Sequence, residues 1–320
     1  MKLILSEEQQ FLKDTAQSFA RDKTPTNHFR KMRDNGNAKC WDDSIWQEMV
    51  QLGWSGILVP EEFGGSDFGI AGISVIMQEL GKTLTPSPLL ATSVLGVSTI
   101  KLLGSDDQKT TFLPKIVSGE ATTALAVDEG NHHSPFDIEA TATLEDDKWI
   151  LNGQKVFIID GSSADFILIV ARTSGKKGES NGLSVFIADK NSTGLEVSQI
   201  STADCRNYAN LVMSNLTLNA DALLGEVDIA GEIIEQVLDL GRIAMASEML
   251  GKSLVTKQSG EEGMPCNAVY LVEKINIAKE MYLSLTLDRK AGCPTFIYSP
   301  AGGMAIEDVA EAEPEKIFKM

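Results

Sequence analysis

The residues able to do chemistry cluster in two places, a polar loop over residues 128–137 and a helical string over 238–246. The loop holds Asp128, Glu129, His132, His133 and Ser134. Neighbouring carboxylates are the outfit of general acid–base catalysis, and adjacent imidazoles that of a metal centre. A zinc site takes three or four ligands, and no third ligand accompanies His132 and His133, so no metal is expected. A solvated loop accounts equally well for Asp128 and Glu129. Cys40, Cys205, Cys266 and Cys293 are scattered without a CxxC spacing, which points to neither zinc nor a disulfide framework. In the second cluster Asp239 and Arg242 stand three residues apart on a helix. There they either pair with each other, for a few tenths of a kcal/mol, or turn both charges toward a ligand.

Two kinds of element must position these groups. In residues 1–120 helical patterns dominate. Ser6 and Gln9 form a capping-box pair ahead of a helix over 7–22, with Phe11, Leu12, Ala16, Phe19 and Ala20 on one face. Residues 23–39 are polar, contain Asn35-Gly36-Asn37 and read as a loop. Asp42-Asp43-Ser44 caps the next helix, which buries Ile45, Trp46, Met49, Val50 and Leu52 and ends at Gly53. Further helices are expected over 70–80, 88–103 and 106–117, with Gly81, Gly104 and Gly119 at their C-terminal ends.

From residue 121 the period changes from helical to alternating. Apolar strand-like runs occur at 124–127, 139–144, 148–151, 155–159, 166–171, 183–188, 195–197 and 211–218, with reversals expected at Asp146-Asp147 and at Asn152-Gly153. The spacing suits an antiparallel barrel or sandwich. Phe157 in this region either stacks on a planar ligand or packs in the core. Residues 228–250 return to helical spacing.

The 320-residue chain is long enough for two or three domains, and its 43% apolar and 23% charged residues are ordinary for a globular protein. A net charge of −17 argues against nucleic acid, which calls for a basic patch. No GxGxxG opens a helix, so no dinucleotide is bound in Rossmann style. No run approaches the roughly eighteen apolar residues of a membrane span, and the start, MKLILSEEQQ, is too short in apolar residues for a secretory signal. A cytoplasmic location is expected.

Gly53-Trp54 followed by Val59-Pro60-Glu61-Glu62-Phe63-Gly64-Gly65, then Leu113-Pro114 with Ser118-Gly119-Glu120, and the strand order of residues 121–161 resemble acyl-CoA dehydrogenases. Leu238 to Ala246 resembles the first helix of that family's C-terminal bundle. The resemblance implies an α+β multidomain chain: an all-α domain at 1–120, a β-barrel or sandwich at 121–227, and the first helix of a truncated bundle at 228–250. It implies FAD as cofactor, an acyl-CoA substrate, an electron-transfer acceptor and a homo- or hetero-oligomer. By position it places Leu125, Val127, Asp128, Ser134, Phe157 and Ile159 at the flavin, and Ser134, Asp239 and Arg242 at the acyl-CoA. This chain departs from the pattern at Asp128, where Thr is common, at Phe157, where Trp is common, and at Ile159, where Ser or Thr is common. Gly241 occupies a position where some members carry the base, and no catalytic residue is assigned.

After Gly251 this resemblance stops. Residues 252–320, through Glu273, Glu280 and Ser299-Pro300-Ala301-Gly302-Gly303, resemble an internal piece of the ATP-grasp β-subunit of succinyl-CoA synthetase, a short α/β fragment in which Glu273 and Glu280 would lie near a nucleotide. The expected function is therefore FAD-dependent α,β-dehydrogenation of an acyl-CoA thioester to an enoyl-CoA. The alternatives are a non-catalytic CoA- or flavin-binding partner subunit, or a nucleotide-binding ligase fragment.

Overall fold

The computed structural model describes residues 5–36, 39–202, 204, 206–250, 253–254, 264–266, 279–288, 293–300 and 313–319. The chain divides into two compact units, Met1–Val269 and Tyr270–Met320.

The first unit begins with helices. α1 (Glu7–Lys23) carries the expected capping box, in which the Ser6 hydroxyl accepts from the Gln9 N–H and the Gln9 side chain accepts from the Ser6 N–H. Its buried face is Ala16, Phe19 and Ala20, whereas Phe11 is 74% exposed. Residues 23–39 contain a helix, α2 (Thr26–Asp34), in place of the expected loop. Pro25 enters it at a fixed φ, and Phe29 and Met32, three apart, give an otherwise polar segment one apolar side. α3 (Asp43–Gln51) is capped by the Asp42 carboxylate and buries Ile45, Trp46 and Met49, but Leu52 lies past its end and is exposed.

The turn after α3 is tightly built. Gly53 takes a positive φ, Glu61–Phe63 makes one 3-10 turn, and a Cβ on Gly65 would sit 2.0 Å from the Val59 carbonyl oxygen. α4 (Ile70–Thr83) runs three residues beyond the expected stop, so Gly81 is internal to it, with Leu84 in the left-handed region as its cap. The expected single helix over 88–103 is a π-helical stretch, Leu89–Gly96, followed by α5 (Val97–Leu103). α6 (Asp106–Val117) has a second capping box, from Ser105 and Gln108.

The strands are β1 (Thr123–Ala126), β2 (Thr141–Glu145), β3 (Lys148–Ile159), β4 (Phe166–Arg172), β5 (Leu183–Asp189), β6 (Leu195–Ile200), β7 (Tyr208–Asn219) and β8 (Leu223–Leu224). They form one eight-stranded sheet in the order β6-β7-β3-β2-β4-β5-β8, with β1 parallel to β4. The expectation of an antiparallel barrel or sandwich is thus corrected in two respects: no barrel closes, and the sheet is mixed. Its departure from antiparallel order comes from β4, which pairs parallel with β1 across Leu125↔Leu168 and with β2 at Thr141↔Arg172.

Asn152-Gly153 makes no hairpin. β3 runs straight through it with a bulge against β7, the register passing from Leu151↔Leu216 to Gly153↔Met213. Gly153 has φ +138, and a Cβ there would lie 2.6 Å from that of Ala140, so glycine lets β3 bend past the β2 entry without a clash. A second bulge falls between Lys155 and Ile158.

α7 (Ala230–Met249) packs on α4, α5 and the sheet through Ala230, Gly231, Ile234, Val237, Gly241, Ala244 and Glu248. β9 (Ser253–Leu254) and β10 (Met264–Pro265) form a two-stranded ladder. In the second unit the described residues give a three-stranded antiparallel sheet, β11 (Tyr282–Asp288), β12 (Cys293–Ser299) and β13 (Phe318–Lys319), in that order. Among the described residues no helix is long and apolar enough to cross a membrane.

Candidate functional site

The loop joining β1 to β2 is pinned at its neck by an ion pair inside the protein. Lys155, with a fully buried side chain, donates to the Glu129 carboxylate at 2.7 Å and to the Val127 carbonyl at 2.9 Å. Glu129 also accepts from the backbone N–H groups of Glu139 and Ala140, at 2.7 and 3.0 Å, closing both strands of the neck. Burial pushes the Lys155 ammonium down to about 8, with Glu129 pulling the other way. It is still protonated at neutral pH, which is what the surrounding acceptors require.

Above the neck, Asp128 Oδ1 accepts from the Ser134 N–H at 3.0 Å, and its Oδ2 lies 2.9 Å from His133 Nδ1. The other ring nitrogen, Nε2, is 3.3 Å from Arg242 Nη2 on α7. A guanidinium can only donate. His133 Nε2 is therefore the acceptor, and Nδ1 carries the hydrogen donated to Asp128. Arg242 is also held by Asp239 at 2.5 Å and by Glu235 at 3.1 Å. Asp128, His133, Arg242, Asp239 and Glu235 thus make one continuous network from the sheet loop to α7.

Phe157 connects to this network along the backbone, one residue after Val156. Its position in the second β3 bulge gives it φ +53, its N–H reaches Asn210 Oδ1 at 3.4 Å, and its ring is 53% exposed with an edge contact to Tyr208 at 6.4 Å. The preceding Val156 N–H donates to the Asp128 carbonyl at 2.8 Å, tying the bulge to the end of β1. An aromatic ring held outward by a strained backbone costs folding energy, and it offers a flat apolar face to a ligand. A cavity of about 470 Å³ opens alongside the loop, lined by Glu129, Gly130, His132, Ser134, Asp137 and Gln154 among others.

The residues singled out in the sequence distribute unevenly around this shelf. Asp128, Ser134, Phe157, Asp239 and Arg242 stand on it or in its network. Leu125 and Val127 are buried in the core, Leu125 paired with Leu168 and the Val127 carbonyl accepting from Lys155, and Ile159 is half-buried against that core. Asp239 and Arg242 do form the ion pair their spacing allows. Glu280 is exposed just ahead of β11, and Glu273 lies outside the described residues. Among the described residues no group of three His, Cys, Asp or Glu could hold a metal.

Sequence reasoning missed the joining of His133 to Asp128 and Arg242, since the second partner is 109 residues away. It also missed a second buried charge cluster, in which Arg206 pairs with Glu248 of α7 near Asp160 at the end of β3. Burial raises the Asp160 carboxyl to about 7, opposed by the Arg206 charge.

The family model for the N-terminal domain of acyl-CoA dehydrogenases matches residues 6–120, and that for the middle domain matches residues 124–219. An ATP-grasp domain model matches residues 198–320. Its overlap with the middle domain falls on β6 and β7, which are hydrogen-bonded into the eight-stranded sheet. The chain is 29% identical over 255 residues to isovaleryl-CoA dehydrogenase of Arabidopsis thaliana, covering 78% of this chain and 62% of the relative. It is 30% identical over 220 residues to a 3-(aryl)acrylate reductase of Clostridium sporogenes, covering 65% and 56%. Among solved structures, butyryl-CoA dehydrogenase from Megasphaera elsdenii superposes with a TM-score of 0.69 at 26% identity, covering 78% of this chain and 66% of that one. The chain thus spans about three fifths of the length of these proteins.

Proposed function

With the N-terminal and middle domains of an acyl-CoA dehydrogenase in residues 6–219, we propose that this chain is an FAD-dependent acyl-CoA dehydrogenase-like oxidoreductase. It would act on the CH–CH bond of an acyl-CoA thioester, yield an enoyl-CoA and hand electrons to a transfer acceptor. The observation that carries the reading is the Phe157 ring, held outward at positive φ beside Asp128, with Arg242 joined to the same Asp128 through His133. Such a shelf suits a planar redox cofactor on one side and a charged thioester ligand on the other.

FAD fits this shelf in two respects. Phe157 supplies an aromatic face, and the Asp128 carboxylate, as an acceptor, matches a ring N–H. Ile159 adds no hydrogen bond to the ring. When bound, the flavin supplies the hydride-accepting chemistry. The chain's own residues hold and orient: Leu125, Val127, Asp128, Ser134, Phe157 and Ile159 at the cofactor, Ser134, Asp239 and Arg242 at the acyl-CoA. A visible flavin spectrum of the purified chain, bleached by an acyl-CoA without oxygen, tests this, and a colourless protein that takes up no added FAD refutes it.

A second reading, a non-catalytic CoA- or flavin-binding partner subunit, is favoured by Gly241. It is buried, and a Cβ there would meet Leu95 Cδ2 at 2.7 Å, so the position one residue before Arg242 carries no acid–base group. Co-purification with a complete dehydrogenase chain distinguishes it. For the C-terminal part, we read a fusion near Met249-Leu250-Gly251 of a truncated helical bundle with an ATP-grasp fragment holding Glu273 and Glu280, supported by the match over 198–320. Binding of a nucleoside triphosphate tests that piece. A cytoplasmic, oligomeric protein is the setting these readings share.

A further inference from the structure

α-Proton abstraction from a thioester needs a base within hydrogen-bond reach and in the correct protonation state. The carboxylates near the shelf are already engaged: Glu129 holds Lys155, while Glu235 and Asp239 both hold Arg242. Gly241 has nothing to offer. His133 is different. Its Nδ1–H is donated to a carboxylate, which leaves the Nε2 lone pair as its one basic position, and that lone pair points to the helix face bearing Arg242 and Asp239. A base oriented through its far nitrogen by a third group is the arrangement that makes imidazole an effective proton acceptor.

We propose that His133 is the base of this site and Asp128 its positioning residue; the inference rests on the acyl-CoA reading above. The α C–H bond of the thioester breaks and an N–H bond forms on His133 Nε2. The electron pair stays with the thioester as its enolate, and the imidazolium is stabilised by the Asp128 carboxylate. Returning a proton to carbon reverses the step, so this half of the reaction needs no oxidant. Arg242 guards the lone pair until the ligand arrives. Its 3.3 Å contact with Nε2 is the longest on the guanidinium, and its Nη1 remains with Asp239 and Glu235. An incoming thioester carbonyl can therefore take the Nη2 donor and free Nε2. The aspartate found where threonine is common then has a reason: an ionised carboxylate fixes the imidazole tautomer and a hydroxyl does so more weakly.

The test is incubation of the full chain with butanoyl-CoA in deuterated water, following deuterium at C2 by mass spectrometry, with calorimetry of butanoyl-CoA binding alongside. The wild-type chain should exchange the α-hydrogen. His133→Gln should bind butanoyl-CoA comparably and exchange about a hundredfold or more slowly. Asp128→Asn should also slow exchange, and its nitrogen NMR spectrum should lose the Nδ1–H tautomer. Exchange by His133→Gln at the wild-type rate overturns the proposal, as does a wild-type chain that binds butanoyl-CoA and exchanges nothing. A wild-type spectrum with the hydrogen on Nε2 overturns it without any ligand. Absence of butanoyl-CoA binding in calorimetry is the separate outcome that removes the acyl-CoA reading and this inference with it.

Discussion

Replacing Glu129 by Gln probes what holds the site loop in place. Lys155 has no exposed side-chain surface and Glu129 very little, so the variant leaves an ammonium in the interior without its counter-charge. Breaking a buried pair from one side typically costs about 3–5 kcal/mol, a large share of a stability of roughly 5–15 kcal/mol. The amide worsens matters, because one of its two ends must face the N–H groups of Glu139 and Ala140 as a donor. The pH dependence gives the sharper check. The folded Lys155 loses its proton at about 8, against the ordinary 10.5. Between those values the unfolded chain binds more protons than the folded one, so this group's contribution to stability rises with pH across the window. A fall from 10.5 to about 8, at about 1.36 kcal/mol per pH unit, is worth roughly 3 kcal/mol. In Glu129→Gln the lysine should deprotonate lower still, so the deficit at pH 7 should shrink by pH 10. Urea unfolding followed by tryptophan fluorescence, with Trp149 on β3 as a reporter, measures both. A variant that unfolds at the wild-type urea concentration at pH 7, or whose deficit is the same at pH 10, would refute the argument.

Asp160→Asn removes the opposite case. The folded carboxyl is raised from 3.8 to about 7, so the wild-type chain loses stability as pH rises through that window, by up to roughly 4 kcal/mol; the variant should match wild type at pH 4 and melt higher at pH 8. Gly65→Ala places a methyl 2.0 Å from the Val59 carbonyl, and thermal melts should show a loss of several kcal/mol, about 3 or more, as expected for strain imposed on backbone. Ser105→Ala deletes a helix cap and should cost about 1 kcal/mol in urea unfolding. Phe157→Ala should leave the fold intact, since the ring is 53% exposed, while weakening FAD retention in equilibrium dialysis; undiminished retention would mean that the ring takes no part in binding.

Much of the fold is legible locally. Both capping boxes and the start of α6 follow from Ser, Gln and acidic residues whose partners are three positions away, and Gly119 marks its end. Errors arise where a distant neighbour decides. Asn152-Gly153 has turn chemistry, yet β7 pairs on both sides of it, bulging there itself, and the glycine serves the close pass over Ala140. Gly81 looks like a helix stop, but its missing side chain admits the Glu248 carbonyl, 2.1 Å from where a Cβ would stand. The site divides the same way. Asp239 and Arg242 meet through helical periodicity, while His133, Lys155 and Arg206 acquire partners 109, 26 and 42 residues away. No local pattern encodes those meetings.

The placement of Arg242 needs less of a helical bundle than the resemblance implies. α7 is anchored along one stripe, residues 230, 231, 234, 237, 241, 244 and 248, which recur at helical spacing and are all buried. Two contacts on it require glycine, Gly231 under the Ser180 carbonyl and the α4 glycine, Gly81, under the Glu248 carbonyl, while Gly241 faces the end of the Leu95 side chain. Close backbone approach of this kind fixes axial position as well as rotation, because a slide of one residue would bring a side chain against a carbonyl. The same rotation turns Glu235, Asp239 and Arg242 away from the buried stripe, and Arg242 meets the loop at His133. Arg206 secures the far end through Glu248. The site network therefore depends on the sheet, α4 and a single helix, and a variant such as Gly81→Ala should loosen the His133–Arg242 contact without touching either residue. Hydrogen exchange of the residue 128–137 loop reads that directly: unchanged protection in a folded Gly81→Ala chain would show that α7 is not what holds the loop.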